Sequence, residues 1–251
     1  MENEIITIDE RNIKDEHICC AISDKKCIEG YNAKKDLLTR QFANGFKFKK
    51  LNVRHKVFIE YGPAEHSLEP VNAPGYHLIH CFWVAGSYKG KGHARRLYEE
   101  CETDSANKNG IAVVCGDKKR PFLADKKFFQ HMGFERMDTA PPYFELWGKK
   151  FKSDSPPASF RESAKKTETT NNGGLTIYYS SRCPYTDYYV NRELVQIAKD
   201  YNLPIDIHYI DSQQKVNDLP IPFSIFSLFY KGKFVTHELL TKKRFDKLGL
   251  L

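Results

Sequence analysis

The chain has 251 residues, of which 41% are hydrophobic and 13% aromatic, enough apolar material for one large globular domain or two modest ones. Its net charge of +7 is spread over the chain, with 25 basic and 21 acidic residues in 1–151 and 14 basic and 11 acidic residues in 152–251. Only the basic group around residues 89–96 is concentrated, so no nucleic-acid partner is predicted. No run of 18 apolar residues occurs and the amino terminus has no basic segment followed by an apolar one, so we expect a cytoplasmic protein with no membrane partner.

The first 75 residues are predicted to form short strands and helices. Alternating apolar residues predict strands, apolar residues three and four apart predict helices, and Gly45 is a typical helix-ending residue. Prolines interrupt the stretch Ala64–Gly75, which we interpret as a loop able to border a binding site. The predicted elements are, in order, a strand (4–9), a helix (9–20), a loop (24–31), a helix (33–44), a strand pair (46–51 and 56–61) and the loop (64–75).

A strand, a glycine-rich turn and a helix are predicted in succession over residues 76–110. The apolar run His77–Val84 is typical of a buried strand, and apolar residues repeat at helical spacing after Gly92. Between the two, glycines alternate with Lys89 and Lys91. Because the first turn of a helix has unpaired N–H groups and a positive dipole end, this order favours the binding of a phosphate or pyrophosphate. A plain solvated turn is the alternative interpretation.

Two common nucleotide motifs do not fit this turn. A P-loop requires a hydroxyl residue after Gly-Lys, whereas Lys91 is followed by Gly92 and His93. A dinucleotide-binding turn requires a third glycine, and Arg95 stands at that place.

The rest of the chain continues the alternation of strands and helices, which predicts an α/β layered fold. Residues 152–173 are rich in Ser, Thr, Pro, Asn and Lys and are predicted to be a linker between two domains, 1–151 and 174–251. Before the linker we expect a strand (111–115) beside the central strand, a helix (124–132) that ends at Gly133 and a last strand (143–150). After it we expect a strand (175–179), a helix (187–202), a strand (205–210), a hairpin (223–236) and a final helix (242–248).

Two blocks of the first domain resemble the GCN5-related N-acetyltransferases (GNAT). Residues 89–94 resemble the acyl-CoA signature Gln/Arg-x-x-Gly-x-Gly/Ala, with Gly92 and Ala94 in place and Lys89 where the family usually has Gln or Arg. Lysine keeps the charge but lacks the flat, bidentate guanidinium. Residues 128–135, FFQHMGFE, resemble the end of a family helix, Phe-Tyr-x-x-x-Gly-Phe-Glu.

The second domain resembles a compact thioredoxin-like fold. Its Cys183-Pro-Tyr-Thr186 sequence is similar to the glutaredoxin tetrad with the second cysteine replaced by threonine. As a whole, the chain resembles the GNAT proteins that carry a YoaP-like C-terminal domain.

The resemblance implies a GNAT acyl-CoA N-acyltransferase fold over residues 1–151 followed by a smaller thioredoxin-like α/β domain. It implies an N-acetyltransferase that uses acetyl-CoA as co-substrate and a small-molecule or peptide amine as acceptor, which the second domain helps to select or present. Backbone groups near the end of the central strand are then expected to pair with the pantetheine arm, and the amides of residues 90–94 to hold the pyrophosphate. The residues expected at the cofactor are Phe82, Val84, Lys89, Gly90, Lys91, Gly92, His93, Ala94, Arg95 and Phe128.

Two positions depart from the family pattern. Phe129 stands where the family usually has the tyrosine that protonates the leaving thiolate, and Phe122 stands where it often has Asn. Since phenylalanine cannot donate a proton, Tyr143 and Tyr98 are considered as replacements, and proximity supplies part of the rate in such reactions.

Two residues are candidates for the general base that accepts the proton of the amine. Glu60 lies between Ile59 and Tyr61, and a carboxylate there is expected to face solvent, a cleft or a partner. His80 lies on the central strand, where a lone histidine is more often a satisfied core residue. We favour Glu60 over His80.

The seven cysteines are odd in number, form no Cys-x-x-Cys pair and partly lie in apolar runs, which predicts reduced and buried thiols. Cys183 differs because it follows a strand and precedes a helix, whose dipole favours the thiolate. It is a candidate thiol site, although without a second cysteine we favour a module for docking or for formation of a homodimer. Two other functions stay open, a non-catalytic acyl-CoA sensor or adaptor and a thiol-binding protein acting through Cys183, and no metal site is predicted.

Overall fold

The computed structural model describes residues 4–18 and 20–251. These residues form two compact units, each assembled from segments that are not contiguous in the sequence. The first unit contains Met1–Ile22, Leu38–Ser67 and Val71–Phe160, and the second contains Ser23–Leu37, Leu68–Pro70 and Arg161–Leu251. The contiguous domains 1–151 and 174–251 stay a prediction.

Strands dominate the first two thirds of the chain, and helices follow β5 and β6. The elements up to residue 160 are β1 (Ile5–Ile8), α1 (Ile28–Phe42), β2 (Lys47–Leu51), β3 (Val57–Pro63), β4 (Val71–Asn72), β5 (Tyr76–Val84), α2 (His93–Asp104), β6 (Gly110–Gly116), α3 (Lys126–His131), β7 (Glu135–Ala140), β8 (Phe144–Lys150) and β9 (Ser159–Phe160). Short 3-10 turns cover Lys25–Cys27, Ala64–His66 and Gly86–Tyr88.

A seven-stranded sheet in the order β1-β2-β3-β5-β6-β8-β7 forms the framework of the first unit. Only β5 and β6 run parallel, since α2 connects them, and the other neighbours are antiparallel. All seven residues of β6 are buried, as expected for a strand covered on both faces. The predicted position of this strand beside the central strand β5 is confirmed.

The hydrophobic core of this unit lies between the sheet and the two helices α2 and α3. Alternate residues of β3, β5 and β6 contribute to it, together with residues from one face of each helix. Its buried members are Leu51, Val57, Ile59, Tyr61, Ile79, Leu97, Tyr98, Cys101, Ile111, Val113, Cys115, Phe129, Phe134 and Trp147. Helices α2 and α3 therefore pack on the same face of the sheet.

The predicted helix over residues 9–20 is wrong for the described part of that range, residues 9–18 and 20, which form turns and irregular structure. The carboxylate of Asp9 accepts a hydrogen bond from the Arg11 amide at 2.9 Å, and Asn12 donates to the Thr7 carbonyl at 2.9 Å. These short side-chain bonds to the backbone compete with a helix. Cys19 lies outside the described residues.

Two further elements near the amino terminus and the end of the first unit differ from the prediction. The loop predicted over 24–31 is wrong in part, because α1 begins at Ile28, directly after a 3-10 turn. Strand β7 was not predicted, because it is the polar edge strand of the sheet and its sequence ERMDTA lacks an apolar alternation. The loop predicted over 64–75 contains the two-residue strand β4, which pairs with β9.

The second unit contains a four-stranded sheet in the order β11-β10-β12-β13. Strands β10 and β11 are parallel, and the other pairs are antiparallel. The predicted hairpin (223–236) is present, and so is a helical stretch where the helix 187–202 was predicted. Helix α6 was not predicted. The thioredoxin-like assignment stays a prediction. The elements of this unit after residue 160 are β10 (Leu175–Tyr179), α4 (Pro184–Tyr188), a π-helical segment (Tyr189–Leu194), α5 (Val195–Asp200), β11 (Ile205–Tyr209), α6 (Gln213–Asn217), β12 (Phe226–Tyr230), β13 (Lys233–Thr236) and α7 (Lys242–Asp246).

The segment predicted as a linker, residues 152–173, is more ordered than its composition indicates. It contains β9 and a 3-10 turn at Glu162–Lys165. Its few apolar residues are buried, with Phe160 2% and Ala164 0% exposed, and this burial offsets part of the ordering entropy. None of the helices in the described part of the chain is both long and apolar enough to cross a membrane.

Candidate active site

The two parallel strands at the centre of the first sheet separate halfway along their length. Strand β5 pairs with β6 only from Tyr76 to Ile79, opposite Gly110 to Val113. Beyond that point β5 continues to Val84 alongside β3, and β6 continues to Gly116 alongside β8. The diverging halves of β5 and β6 therefore leave a split in the sheet, where backbone groups of either strand can bind a ligand.

A β-bulge in β5 lies at the start of this split. The pairing of β3 with β5 changes from Glu60 opposite Cys81 to Tyr61 opposite Ile79, so His80 is an extra residue. Ile79 and Phe82 both pack on the core side, and His80 and Cys81 between them face away from it. By strand alternation, Glu60 also faces away from the core, since Ile59 and Tyr61 belong to it.

The bulge thus brings the two predicted base candidates, Glu60 and His80, to one face of the sheet. Both are buried, with exposures of 1% and 9%. The His80 ring stacks on Phe46, with ring centroids 5.0 Å apart and planes 13° apart. Gly62 makes room for Phe46, because an added Cβ there would come within 2.6 Å of the ring. The imidazole is therefore held in one orientation.

Helix α2, which follows β5 in the chain, begins with an uncapped first turn. Its N-cap residue is Gly92, which has a left-handed conformation (φ +79°) and no side chain to cap the helix. Gly90 is also left-handed (φ +75°), and an added Cβ at either glycine would meet nothing within 4 Å. Glycine is therefore required here by the backbone conformation, and the space beside the turn is open. Such a turn fits an anionic group.

His93, the first residue of α2, carries a buried nitrogen beside this turn. The side chain is 6% exposed, and its Nδ1 has no hydrogen-bond partner among the described residues. Its ring lies 5.7 Å from that of Tyr88, over which Lys91 places its ammonium at 5.7 Å from the centroid. A buried polar atom without a partner is costly, so this nitrogen is a candidate contact for a ligand at the turn.

Aromatic side chains line the core side of the split. Phe82 and Phe128 are partly buried and pack with their ring centroids 5.1 Å apart. Phe129 is 1% exposed and lies in the core, with its ring 5.1 Å from Phe134. The position at which the resemblance leads one to expect a tyrosine thus carries a packing residue.

Of the two tyrosines considered as replacements, Tyr98 is already engaged. It is 2% exposed, and its hydroxyl donates to Glu102 at 2.8 Å, while Lys149 donates to the same carboxylate at 2.6 Å. Burial and the bond to Glu102 raise the pKa of Tyr98. This is unfavourable for an acid that gives up a proton.

Tyr143 directly precedes Phe144, the first residue of β8, which pairs with Gly116 at the end of β6. It therefore lies at the carboxyl end of β6, the end at which β5 and β6 have separated. The guanidinium carbon of Arg120 lies 3.7 Å from the centre of its ring. The other family departure, Phe122, lies in the same loop as Arg120 and is 40% exposed.

Glu145, which was not predicted, forms a buried charge network at the start of β8. Its carboxylate accepts hydrogen bonds from Lys126 at 2.9 Å, from the indole of Trp147 at 2.8 Å and from Arg136 at 3.4 Å. Burial acts to raise the pKa of Glu145, but these donors hold it below its ordinary value. The partners come from three different elements, so no sequence spacing could have indicated the network.

Cys183, the predicted thiol site, lies in the second unit as the N-cap residue of α4 and is half-buried. Thr186, which stands where a second cysteine would be, donates its hydroxyl to the carbonyls of Ser180 and Cys183, both at 2.7 Å. Thr186 thus stabilises the turn that begins the helix. The reactivity of Cys183 stays a prediction.

The glycine-rich turn and the helix after it were predicted from the sequence, and the structure adds a split between the parallel strands β5 and β6. Residues 54–134 match the model of the Acetyltransferase (GNAT) family, and residues 204–247 match the YoaP-like family. Over 245 residues the chain is 38% identical to the Uncharacterized N-acetyltransferase YoaP of Bacillus subtilis (strain 168), with 97% of each chain covered. The chain belongs to the GNAT acetyltransferases that carry a YoaP-like C-terminal region, and it is an acetyl-CoA-dependent N-acetyltransferase.

Two solved GNAT structures are similar to part of the chain at low sequence identity. The GNAT family N-acetyltransferase YhbS of Escherichia coli in complex with CoA is 13% identical, with a TM-score of 0.39, over 64% of this chain and 91% of its own. A GNAT family acetyltransferase of Brucella melitensis in complex with acetyl-CoA is also 13% identical, with a TM-score of 0.38, over 62% and 93%.

Proposed function

We propose that the chain transfers the acetyl group of acetyl-CoA to the primary amine of a small-molecule or peptide acceptor at the split between β5 and β6. The observation that carries this proposal is the arrangement around the split. The open turn before α2 lies on the core side with the Phe82 and Phe128 rings, and Glu60 and His80 lie on the opposite face. The cofactor and the acceptor can then approach the split from opposite faces.

The proposed cofactor contacts follow from the turn and from the two strands. The amides of residues 90–94 and the side chain of His93 hold the diphosphate, and the ammonium groups of Lys89 and Lys91 add positive potential, as Arg95 does. Backbone groups of β5 near Phe82 and Val84 pair with the pantetheine arm, since this part of β5 has no bonds to β6. Phe128 packs beside Phe82.

The proposed reaction needs a base and an acid on opposite sides of the acetyl group. Glu60 accepts the proton of the amine, whose nitrogen forms a bond to the carbonyl carbon, and His80 is the second candidate for this role. The C–S bond then breaks with its electron pair on sulfur, and Tyr143 donates a proton to the thiolate. Because the thioester and the amine are both bound at the split, proximity supplies much of the rate.

Acetyl-CoA turnover with a panel of polyamines, amino acids, aminoglycosides and peptide amines tests this proposal, with free CoA measured by a thiol reagent. We expect Glu60→Gln to lower kcat by about 10²-fold or more while CoA affinity is retained. Glu99→Gln, an exposed carboxylate on α2, is the control. If CoA does not bind the wild-type chain, or if Glu60→Gln and His80→Gln both keep full activity, the proposal is wrong.

We further propose that the second unit helps to select or present the acceptor. The support is the YoaP-like match over residues 204–247, which accompanies the acetyltransferase match within one chain. Cys183→Ser tests whether its thiol takes part. A change in KM for the acceptor with unchanged CoA affinity would assign Cys183 to acceptor binding, and unchanged kinetics would exclude it.

A further inference from the structure

The loop between β6 and α3 holds one arginine directly over the ring of Tyr143. The guanidinium of Arg120 lies 3.7 Å from the ring centroid, which is a close stacking distance for a cation. Its Nε donates to the carboxylate of Asp117 at 2.8 Å, and the Asp117 amide donates to the Tyr143 carbonyl at 2.8 Å. Arg120, Asp117 and Tyr143 therefore form a closed set of contacts.

The backbone around this set is fitted to the arginine. An added Cβ at Gly116 would lie 2.8 Å from the Lys118 carbonyl and 3.1 Å from the Arg120 side chain, so only glycine leaves room for the loop. The loop then returns to the strand, where Ala124 forms a parallel bridge with Cys115. Asp117 keeps its charge because the hydrogen bond from Arg120 lowers the pKa of its carboxyl. Arg120 is thus held at its side chain and at both ends of its loop.

The set lies at the end of the split, beyond the residues of β6 that pair with β5. Gly116, which pairs with Phe144, is three residues beyond the last residue of β6 that pairs with β5, or about 10 Å along the strand. The usual acid position carries Phe129, which is buried in the core, and Tyr98 is bonded to Glu102. Tyr143 is the remaining candidate of the two tyrosines considered.

We propose that Arg120 is a positioning residue that orients the Tyr143 phenol and stabilises the phenolate formed when Tyr143 protonates the leaving thiolate. The proposal rests on the proposed acetyl transfer. In this step the C–S bond breaks, sulfur keeps the electron pair, the proton of the Tyr143 hydroxyl moves to sulfur, and water returns a proton to the phenolate. A cation over the ring attracts the phenolate more strongly than the neutral phenol, and so favours proton donation.

Other charged groups lie on the loop that carries Arg120 and near the start of β8. Asp117 pairs with Arg120 and partly offsets its charge, and Lys118 and Lys119 of the same loop are exposed. Two residues further along β8, Glu145 is balanced by Lys126 and Arg136. Lys119→Gln is therefore the matched control. It removes one positive charge from the same loop, but not the cation that stacks on the Tyr143 ring.

The test is the titration of the Tyr143 phenol, followed by NMR of the full chain labelled at tyrosine Cζ and assigned with Tyr143→Phe. We expect Arg120→Gln to raise the titration midpoint by about half a pH unit or more, Arg120→Lys to give a smaller rise and Lys119→Gln almost none. In acetyl-CoA turnover with an amine found active in the panel, Arg120→Gln should lower kcat by about tenfold or more with little change in KM for acetyl-CoA. Equal midpoints in Arg120→Gln and Lys119→Gln would overturn the proposal.

The outcomes separate this inference from the proposed function. If wild type turns over acetyl-CoA and Arg120→Gln does so equally well, the inference fails and the proposed function stands. If wild type turns over no amine, the proposed function fails, and with it the positioning role of Arg120, whatever the midpoint. Should Arg120→Gln not fold, Arg120→Lys, which retains the charge, is measured in its place. A titration midpoint of Tyr143 equal to that of wild type would then contradict a role for the stacked guanidinium.

Discussion

His77 is a residue at which burial predicts how stability depends on pH. It is 5% exposed, and its Nδ1 lies 2.8 Å from the hydroxyl oxygen of Ser105, whose own hydrogen is donated to the Cys101 carbonyl at 2.6 Å. Nδ1–H is therefore the donor to the Ser105 hydroxyl. Burial, with a smaller contribution from the charge of Lys108, lowers the pKa of His77 from 6.5 to about 4.

Because the folded pKa is the lower one, the unfolded chain binds a proton between pH 6.5 and 4 that the folded chain does not. The contribution of the neutral His77 to the free energy of unfolding is fully present above pH 6.5. It is lost as the pH falls from 6.5 to 4, by up to about 1.4 kcal/mol per pH unit. Burial also lowers the pKa of His17, so wild type alone does not isolate His77. Denaturant unfolding at pH 7 and pH 5 should show a smaller loss in His77→Gln than in wild type or in exposed His66→Gln, and equal losses would contradict the assignment.

His93 gives a second prediction at this scale, on affinity. If its buried Nδ1 bonds to a phosphate oxygen, His93→Ala should weaken CoA binding by about three- to tenfold, since one hydrogen bond contributes about 0.5–1.5 kcal/mol. Calorimetric titration with CoA measures this. His55→Ala is the control, because His55 is an exposed ring 5.3 Å from the same Tyr88. Equal affinities of the two variants would show that the backbone amides bind the phosphate without His93.

At the scale of elements, the start of α2 depends on the left-handed conformation of Gly92. We expect Gly92→Val to lower CoA affinity by about tenfold or more, because a β-branched residue disfavours φ near +79° and shifts the amides that follow. Gly92→Asn should retain more of the affinity, since asparagine tolerates this conformation. Calorimetry with CoA, together with thermal unfolding, separates binding from stability.

Gly249 provides the control for this substitution. It also has a positive φ, +60°, and open space around an added Cβ, but it lies in the second unit. Gly249→Val should therefore cost a similar amount of backbone energy and leave CoA affinity unchanged. If Gly92→Val also left the affinity unchanged, the turn before α2 would not be the diphosphate site.

The elements that could be predicted are those whose burial shows in their own pattern of apolar residues. Strands β5 and β6 are continuous apolar runs, and α2 has helical spacing after a glycine-rich turn, so all three were predicted. Strand β7 is polar because it lies at the edge of the sheet. The bulge at His80 and the split after Ile79 depend on pairing register, which a single strand does not record.

Contacts between side chains distant in the sequence could not be predicted either. Tyr143 was a candidate acid from its sequence alone, but the stacking of Arg120 on it joins residues 23 positions apart through the path of a loop. The burial of Phe129 follows from packing against Phe82 of β5 and Phe134, which follows α3. Residue types could be predicted as candidates, whereas their partners required the fold.

At the scale of the whole molecule, the second unit includes two segments from the first part of the chain, and both enter its core. Leu37 and Leu68 form a buried cluster with Ile210, Val216 and Leu219. Glu69 forms an ion pair with Arg182, and both side chains are almost fully buried, at 3% and 4% exposure. Arg182 also donates to Ser224 at 3.3 Å. Residues 161–251 alone would lack all contacts from Leu37, Leu68 and Glu69.

Glu69→Gln in the full chain should therefore destabilise the second unit by about 3 kcal/mol, because it removes the carboxylate charge that pairs with the buried guanidinium of Arg182. Glu162→Gln is the control, since Glu162 in the same unit is exposed and its pair with Lys165 contributes little. Unfolding in urea, followed by the NMR signals of residues in each unit, measures the effect. The fragment 161–251 should be unfolded under the same conditions. A folded fragment, or a Glu69→Gln chain as stable as the control, would mean that the second unit does not need the segment 68–70 and is closer to the contiguous domain that composition predicts.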